Sequence, residues 1–160
     1  MELRIERQSL MRSLSHVQSV VERRNTIPIL SNVLIECEGD AVTLTATDMD
    51  LTITETTGAS VANPGAVTAP AHMLFDIVRK LPDGVEVGLT SQSDTGRMIL
   101  TAGKARFELS TLPREDYPSL DGAPMPISFE IPAEELKTLI ERTRFAISTE
   151  ETRYYLNGIY

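Results

Sequence analysis

"AVTLTATDMDLTITE", Ala41 to Glu55, begins by alternating strictly: Val42, Leu44 and Ala46 fall on one side and Thr43, Thr45 and Thr47 on the other. A period of two belongs to a β-strand with one face buried. Gly39-Asp40 supplies a tight turn into this strand from "NVLIECE" (Asn32 to Glu38). Downstream, "VEVGLT" (Val85 to Thr90), "RMILTA" (Arg97 to Ala102) and "ARFELS" (Ala105 to Ser110) are separated by "SQSDTG" and "GK", the pattern of a three-stranded antiparallel meander.

Helical spacing of three and four residues appears in three places: Leu10, Met11, Leu14, Val17, Val20 and Val21; Leu74, Phe75, Ile77, Val78 and Leu81; and Leu136, Leu139 and Ile140. The third set has Pro132 at its start, Glu134 and Glu135 in its first turn, and Arg142 and Arg144 near its end, as the helix dipole favours. The predicted order up to Ser110 is strand, helix, three strands, helix, three strands. The class is α+β.

"LPREDYPSLDGAPMP" (Leu112 to Pro126) carries Pro113, Pro118, Pro124 and Pro126 with Gly122, which suits neither a helix interior nor a central strand. A boundary is expected there, with one domain over 1–125 and another opening over 126–160. Beyond this boundary the pattern of the N-terminus returns: Ile131 matches Ile5, Leu136 matches Leu10 and Ile140 matches Leu14, each 126 positions on. Further along, Tyr155-Leu156-Asn157-Gly158-Ile159 matches Leu30-Ser31-Asn32-Val33-Leu34 at a spacing of 125. The last nine residues, "TRYYLNGIY", with paired aromatics and a β-branched Ile, predict a strand that has just begun. Thirty-four or so residues cannot bury a core of their own, so the reading is one complete unit plus the start of a second, in a polypeptide expected to continue past Tyr160.

Composition narrows the function. The chain is 160 residues long, 41% hydrophobic and 24% charged, enough to build a core. No stretch of about 18 apolar residues and no N-terminal apolar signal core is present, so a cytoplasmic protein without membrane contact is expected. Cys37 is the single cysteine and sits in an alternating strand, where a small core residue would serve. The net charge of −8 argues at face value against a nucleic-acid partner. Its distribution argues otherwise. Helical stretches 10–24, 71–81 and 133–145 hold eight basic residues (Arg12, Arg23, Arg24, Arg79, Lys80, Lys137, Arg142, Arg144) against five acidic ones, leaving −11 for strands and loops. Lys and Arg favour helices in any case; the sharper reading is a basic helical face turned to a polyanion, with acidic surface elsewhere repelling it.

Catalytic and metal chemistry find no constellation. Asp48-Met49-Asp50 lacks further carboxylates or histidines at ligand spacing, so no metal and no cofactor are expected. Gly103-Lys104 lacks a preceding glycine-rich loop and fits a hairpin turn, and neither His16 nor His72 lies near a nucleophile elbow.

The blocks "TIPILSNVLIE" (Thr26 to Glu36), "LTATDMDL" (Leu44 to Leu51), "FDIVRKLPDG" (Phe75 to Gly84), "RFELSTLPREDYPSL" (Arg106 to Leu120) and "TRYYLNG" (Thr152 to Gly158) resemble, in order, the bacterial DNA polymerase III beta subunit family of sliding clamps. The resemblance implies a DNA-clamp fold of three similar domains per subunit, each with two helices on an inner surface packed on antiparallel sheets. Two such subunits would close into a homodimeric ring around duplex DNA. It implies a non-catalytic processivity factor for the replicative polymerase, with the DNA polymerase III catalytic subunit, the clamp loader and other clamp-binding polymerases and repair proteins as partners.

Position by position, the resemblance points to Arg24, His72, Arg79, Glu150, Tyr154 and Tyr155 as DNA-facing, with Glu150 standing where relatives can carry Gln and His72 where they can carry Arg. Arg153 and Leu156 fall in the groove that receives partner peptides. Phe107 and Leu109 fall on the strand that meets the other subunit, although both could instead face the core of their own sheet. The competing reading is a cytosolic α+β enzyme or small-molecule binding domain in which the repeat is accidental.

Overall fold

The computed structural model describes residues 1–22, 26–92, 96–118 and 127–159, and divides into two compact units, Met1–Leu120 and Asp121–Tyr160. In the first unit β1 (Glu2–Glu6) runs without a loop into α1 (Arg7–Val17). Glu6 makes that junction possible: its Oε2 accepts from the Ser9 amide at 2.8 Å and the Ser9 hydroxyl at 3.1 Å, capping the helix start. The amides of Gln8 and Ser9 hold its carboxyl below the usual carboxylate range. α1 ends at Val17, short of the expected residue 24. Val20 and Val21 are nevertheless buried, because two turns closed by the Ser19 and Val21 amides return them to the core. The apolar period therefore outlasts the helix.

Five strands, not three, separate the helices: β2 (Asn32–Glu38), β3 (Ala41–Thr47), β4 (Thr52–Gly58), β5 (Ser60–Asn63) and β6 (Gly65–Pro70), then α2 (Ala71–Lys80). β5 and β6 escape a pattern reading because they are short, small-residue strands broken by Pro64-Gly65. The meander is as expected, β7 (Glu86–Gln92), β8 (Arg97–Ala102) and β9 (Ala105–Ser110), with Gly103 at φ 56° turning the last hairpin.

The strands form two antiparallel sheets, in the orders β5-β1-β7-β8-β9 and β4-β3-β2-β6. β5 leaves its sequence neighbours to pair with β1, which locks the two sheets to one another. One core joins them: Leu3, Val87, Leu89, Met98, Leu100 and Leu109 from one sheet meet Val33, Ile35, Cys37, Val42 and Leu44 from the other, with Leu10, Leu14 and Val17 of α1 and Leu74 and Val78 of α2. α1 and α2 lie against each other. Cys37 sits within this core, its thiol pushed up by burial.

The expected linker begins later than its prolines suggest. Residues Arg114–Asp116 form a 3-10 turn, and Tyr117, 3% exposed, packs with Ile29, Leu30 and Leu34 in a small second core while its hydroxyl donates to the Thr45 carbonyl at 3.0 Å. The threonine side of β3 is thus covered at Thr45 and Thr47, where strict alternation predicts exposure. Residues 119–126, the rest of that stretch, lie outside the described residues.

In the second unit α3 (Ala133–Thr143) has the bounds of α1 displaced by 126 residues. The parallel extends to the 3-10 turns: Pro28–Ser31 precedes β2, and Glu151–Leu156 occupies the matching place near the end. This corrects the strand expected over "TRYYLNGIY". Its aromatic residues suit a strand, but no sheet edge among the described residues pairs with them, so the backbone closes on itself, with the Arg153 amide on the Glu150 carbonyl at 3.0 Å and the Ser148 amide on the Leu156 carbonyl at 2.9 Å. Leu136 and Ile140 of α3 are exposed, whereas their counterparts Leu10 and Leu14 are fully buried.

Candidate nucleic-acid and subunit interfaces

α1 and α2 carry four cations, Arg7, Arg12, Arg79 and Lys80, against one acid, Asp76. They are not equivalent. Arg7 is turned inward on the fold: its Nε donates to the Val78 carbonyl at 3.0 Å, one Nη to the Arg79 carbonyl at 2.9 Å and the other to Asp83 at 2.6 Å. It caps the C-terminus of α2 and its charge is spent there. Arg79 pairs with Asp76 at 2.9 Å and lies 5.8 Å over the Phe75 ring. Arg12 and Lys80 are exposed, and among the described residues neither has a carboxylate within ion-pair distance. Two unneutralised cations thus sit on a pair of touching helices.

His72 lies in the first turn of α2, half-buried, with Nε2 2.9 Å from the Val21 carbonyl. One ring nitrogen is therefore engaged in tying α2 to the turn after α1. Arg24 lies outside the described residues.

The second unit gathers its five expected residues in one loop. Glu150 Oε2 accepts from Arg153 Nε at 3.0 Å, and the Glu150 amide donates to Ser148 Oγ at 3.1 Å. Tyr155 and Leu156 are exposed in the adjoining 3-10 turn. Tyr154 belongs to the same turn, while its side chain lies outside the described residues.

Phe107 and Leu109 point from the same side of β9, yet they differ. Leu109 is 1% exposed and part of the main core; Phe107 is 36% exposed. The Leu109 side chain packs in the core of its own sheet with Met98 and Leu100, as the alternative reading of the alternation has it. β9 itself is an outer strand, paired among the described residues only with β8, so one row of its backbone groups is open.

Beside it runs a groove of about 610 Å³ lined by Met73, Ile77, Leu81 and Phe107, with Asp76 and Lys80 contributing polar atoms. Ile77 and Leu81 belong to the apolar helical spacing of the sequence, and Met73 does not. A signal existed: α2 buries Ala71, Leu74 and Val78, and Met73 stands exposed beside that face, with Ile77 and the buried Leu81 at its edge.

Asp48 offers no ligand shell. Its Oδ1 accepts from the amides of Asp50 at 2.9 Å and Leu51 at 2.7 Å, closing a turn in which Met49 takes φ 86°. Among the described residues no group of three or more His, Cys, Asp or Glu side chains is placed to hold a metal ion. Among them, too, no helix is long and apolar enough to cross a membrane.

Comparison with known proteins bears on this arrangement. The family described as DNA polymerase III beta subunit, N-terminal domain, matches residues 1–121. The beta sliding clamp of Caulobacter vibrioides is 52% identical over 160 residues, which are 100% of this chain and 43% of that protein. That of Pseudomonas aeruginosa is 40% identical over 163 residues, covering 99% of this chain and 43% of its own. The crystal structure of the sliding clamp from Caulobacter crescentus superposes with a TM-score of 0.94 at 52% identity, over 100% of this chain and 43% of that one. The chain therefore spans less than half the length of these relatives. Both the sheet-and-helix architecture and the residue pattern agree, and the chain belongs to the DNA polymerase III beta subunit family of sliding clamps.

Proposed function

We propose that this chain is the N-terminal part of a DNA sliding clamp, a complete first domain over 1–125 followed by the opening of a second over 126–160. The whole protein is a non-catalytic cytoplasmic processivity factor that encircles duplex DNA. The observation that carries this is the pair of touching helices α1 and α2, which present Arg12 and Lys80 without carboxylate partners among the described residues while the chain as a whole is at −8. Exposed cations of that kind attract a polyanion weakly. Weak attraction is what a sliding ring requires, since retention comes from closure and not from grip.

Around that surface the remaining roles are arranged. Arg24, Arg79, Glu150, Tyr154 and Tyr155 face DNA, the tyrosines offering aromatic faces on which unpaired template bases stack. His72 joins them from the start of α2, one ring nitrogen on the Val21 carbonyl. Arg153 and Leu156 contribute to a groove for peptides of the DNA polymerase III catalytic subunit, the clamp loader and other clamp-binding polymerases and repair proteins. The open edge of β9, with Phe107 and the groove lined by Met73, Ile77 and Leu81, forms the contact between subunits of a homodimeric ring.

The test is topological. The full-length protein, loaded by a clamp loader, is expected to remain on nicked circular duplex and to run off the same duplex once linearised. Equal retention on both forms would mean grip, and would end the proposal.

A further inference from the structure

Ser148 and Asn157 close the neck of the loop that runs between them. The Ser148 amide donates to the Leu156 carbonyl at 2.9 Å. In the other direction the Asn157 side-chain nitrogen donates to the Ser148 carbonyl at 3.0 Å and to the Arg153 carbonyl at 3.2 Å. The hydrogen-bond network assigns the orientation of that amide, because the reverse one sets its oxygen against the same two carbonyl oxygens. Arg153 breaks the 3-10 path at φ −112° and ψ 46°, and the asparagine supplies a donor to the carbonyl at the break.

An asparagine amide has two N–H donors, and here one goes to the neck of the loop and one to its middle. Tyr154 and Tyr155 lie on the short arc between Arg153 and Asn157. The ion pair of Glu150 with Arg153 closes only the preceding half and does not reach that arc. The repeat puts a second asparagine in the same place. Asn32 matches Asn157 at a spacing of 125, follows the 3-10 turn Pro28–Ser31 as Asn157 follows Glu151–Leu156, and donates through Nδ2 to Thr68 Oγ1 at 3.0 Å. Each unit thus spends an asparagine amide on fixing the residue that leaves a 3-10 turn, the first on β6 and the second on its own loop.

Resting on the reading of this loop as DNA-facing, we propose that Asn157 is a positioning residue of the loop: by bonding the Ser148 and Arg153 carbonyls it presets the arc that carries Tyr154 and Tyr155, so that unpaired bases meet aromatic faces already in place. Order that binding would otherwise have to impose on the arc is present before DNA arrives. Shape alone does not suffice, since an aspartate of the same size offers only acceptors to two carbonyl oxygens.

The experiment is fluorescence anisotropy of the full-length protein on a blunt duplex and on the same duplex carrying a single-stranded extension. The ratio of the two affinities reads the stacking of unpaired bases and cancels charge effects common to both. The double variant Tyr154→Ala/Tyr155→Ala is expected to lower the ratio. Asn157→Ala is expected to lower it about three- to tenfold, the scale of two neutral hydrogen bonds, and to leave blunt-duplex affinity and melting temperature unchanged. Asn157→Asp is expected to lower it at least as far, and Asn157→Gln, which keeps the amide on one more methylene, to restore part of the loss. If the tyrosine variant lowers the ratio while Asn157→Ala and Asn157→Asp keep the parent value, Asn157 does not position the arc and the proposal is overturned. It is overturned equally if Asn157→Ala lowers blunt-duplex affinity and melting temperature along with the ratio, since the residue then supports the fold at large. If the tyrosine variant itself keeps the parent ratio, the reading of the loop as DNA-facing fails, and the proposal with it.

Discussion

Arg7 Nε donates to the carbonyl of Val78 at 3.0 Å, so the first residue of α1 closes the last turn of α2. The contact spans 71 positions of sequence and uses a side chain only 13% exposed. Its guanidinium meets the Val78 and Arg79 carbonyls together, where the helix dipole is negative and the Leu81 amide, at 3.3 Å, is the other donor to Val78. Arg7→Ala in the 160-residue chain is expected to lower unfolding free energy by about 1–2 kcal/mol, since two carbonyls lose a charged donor. Arg7→Lys, with a point charge and no fork, is expected to restore less than half of it. Asp83→Ala, removing a carboxylate that is 95% exposed, is expected to cost no more than about 0.5 kcal/mol. Urea titration of the three variants checks the ranking.

Tyr117 ties the segment after β9 to the outer side of β3. Replacing it by Phe removes the hydroxyl that donates to Thr45 and is expected to cost about 1 kcal/mol, whereas Ala, which also empties the second core, is expected to cost about 3–5 kcal/mol. Burial pushes the phenol up to about 12. The folded chain therefore holds the proton more tightly than the unfolded one, whose tyrosine titrates near 10. Stability from this group is complete below about pH 10 and is lost as pH rises toward about 12. A thermal melt series over that range should show the loss in the parent chain and a shallower slope in Tyr117→Phe.

Glu6 is shifted in the opposite direction. Its carboxylate accepts from the first-turn amides of α1, so the folded state favours the ionised form, and the contribution is present at neutral pH and lost as pH falls through the lowered folded value. Glu6→Gln should remove part of that acid sensitivity. Melting temperature measured from pH 7 down to pH 3 should fall less steeply in the variant than in the parent chain, and identical slopes would show that the cap does not depend on charge.

Much of this was legible from the residue pattern, for identifiable reasons. α1, α2 and α3 announce themselves by spacing because each packs, or repeats the sequence of one that packs, a single apolar stripe, and α3 has the bounds of α1 displaced by 126 residues. The meander is readable because Gly103 must take a positive φ between two alternating runs. What failed to show depended on tertiary partners. β5 is a strand only because β1 offers an edge to Ser60–Asn63, and no local preference of those residues reveals it. Leu109 and Phe107 look alike by alternation, and only the place of β9 at the rim of the sheet separates a core side chain from an exposed one. At the candidate DNA surface the sequence counts charges but cannot tell which are already paired: Arg7 and Arg79 are, and among the described residues Arg12 and Lys80 are not.

That distinction sets a measurable difference at the proposed DNA surface. Each unneutralised cation that meets a phosphate releases about one counterion, so the slope of log K against log salt for duplex binding should fall by about 0.9 when it is removed. For the full-length protein on a short duplex, Arg12→Gln and Lys80→Gln are each expected to reduce the slope by close to that amount. Arg79→Gln should change it less, because Asp76 already neutralises much of that charge and would be left behind as an unpaired anion. The variant Asp76→Asn then separates pairing from distance: it should steepen the slope in the parent and leave Arg79→Gln unaffected if Arg79 is near DNA but masked. Fluorescence anisotropy from about 20 mM to 200 mM salt resolves these slopes, because affinity with several phosphate contacts changes by orders of magnitude over such a range. Equal slopes for the parent and the three cation variants would remove α1 and α2 from the DNA-facing surface altogether.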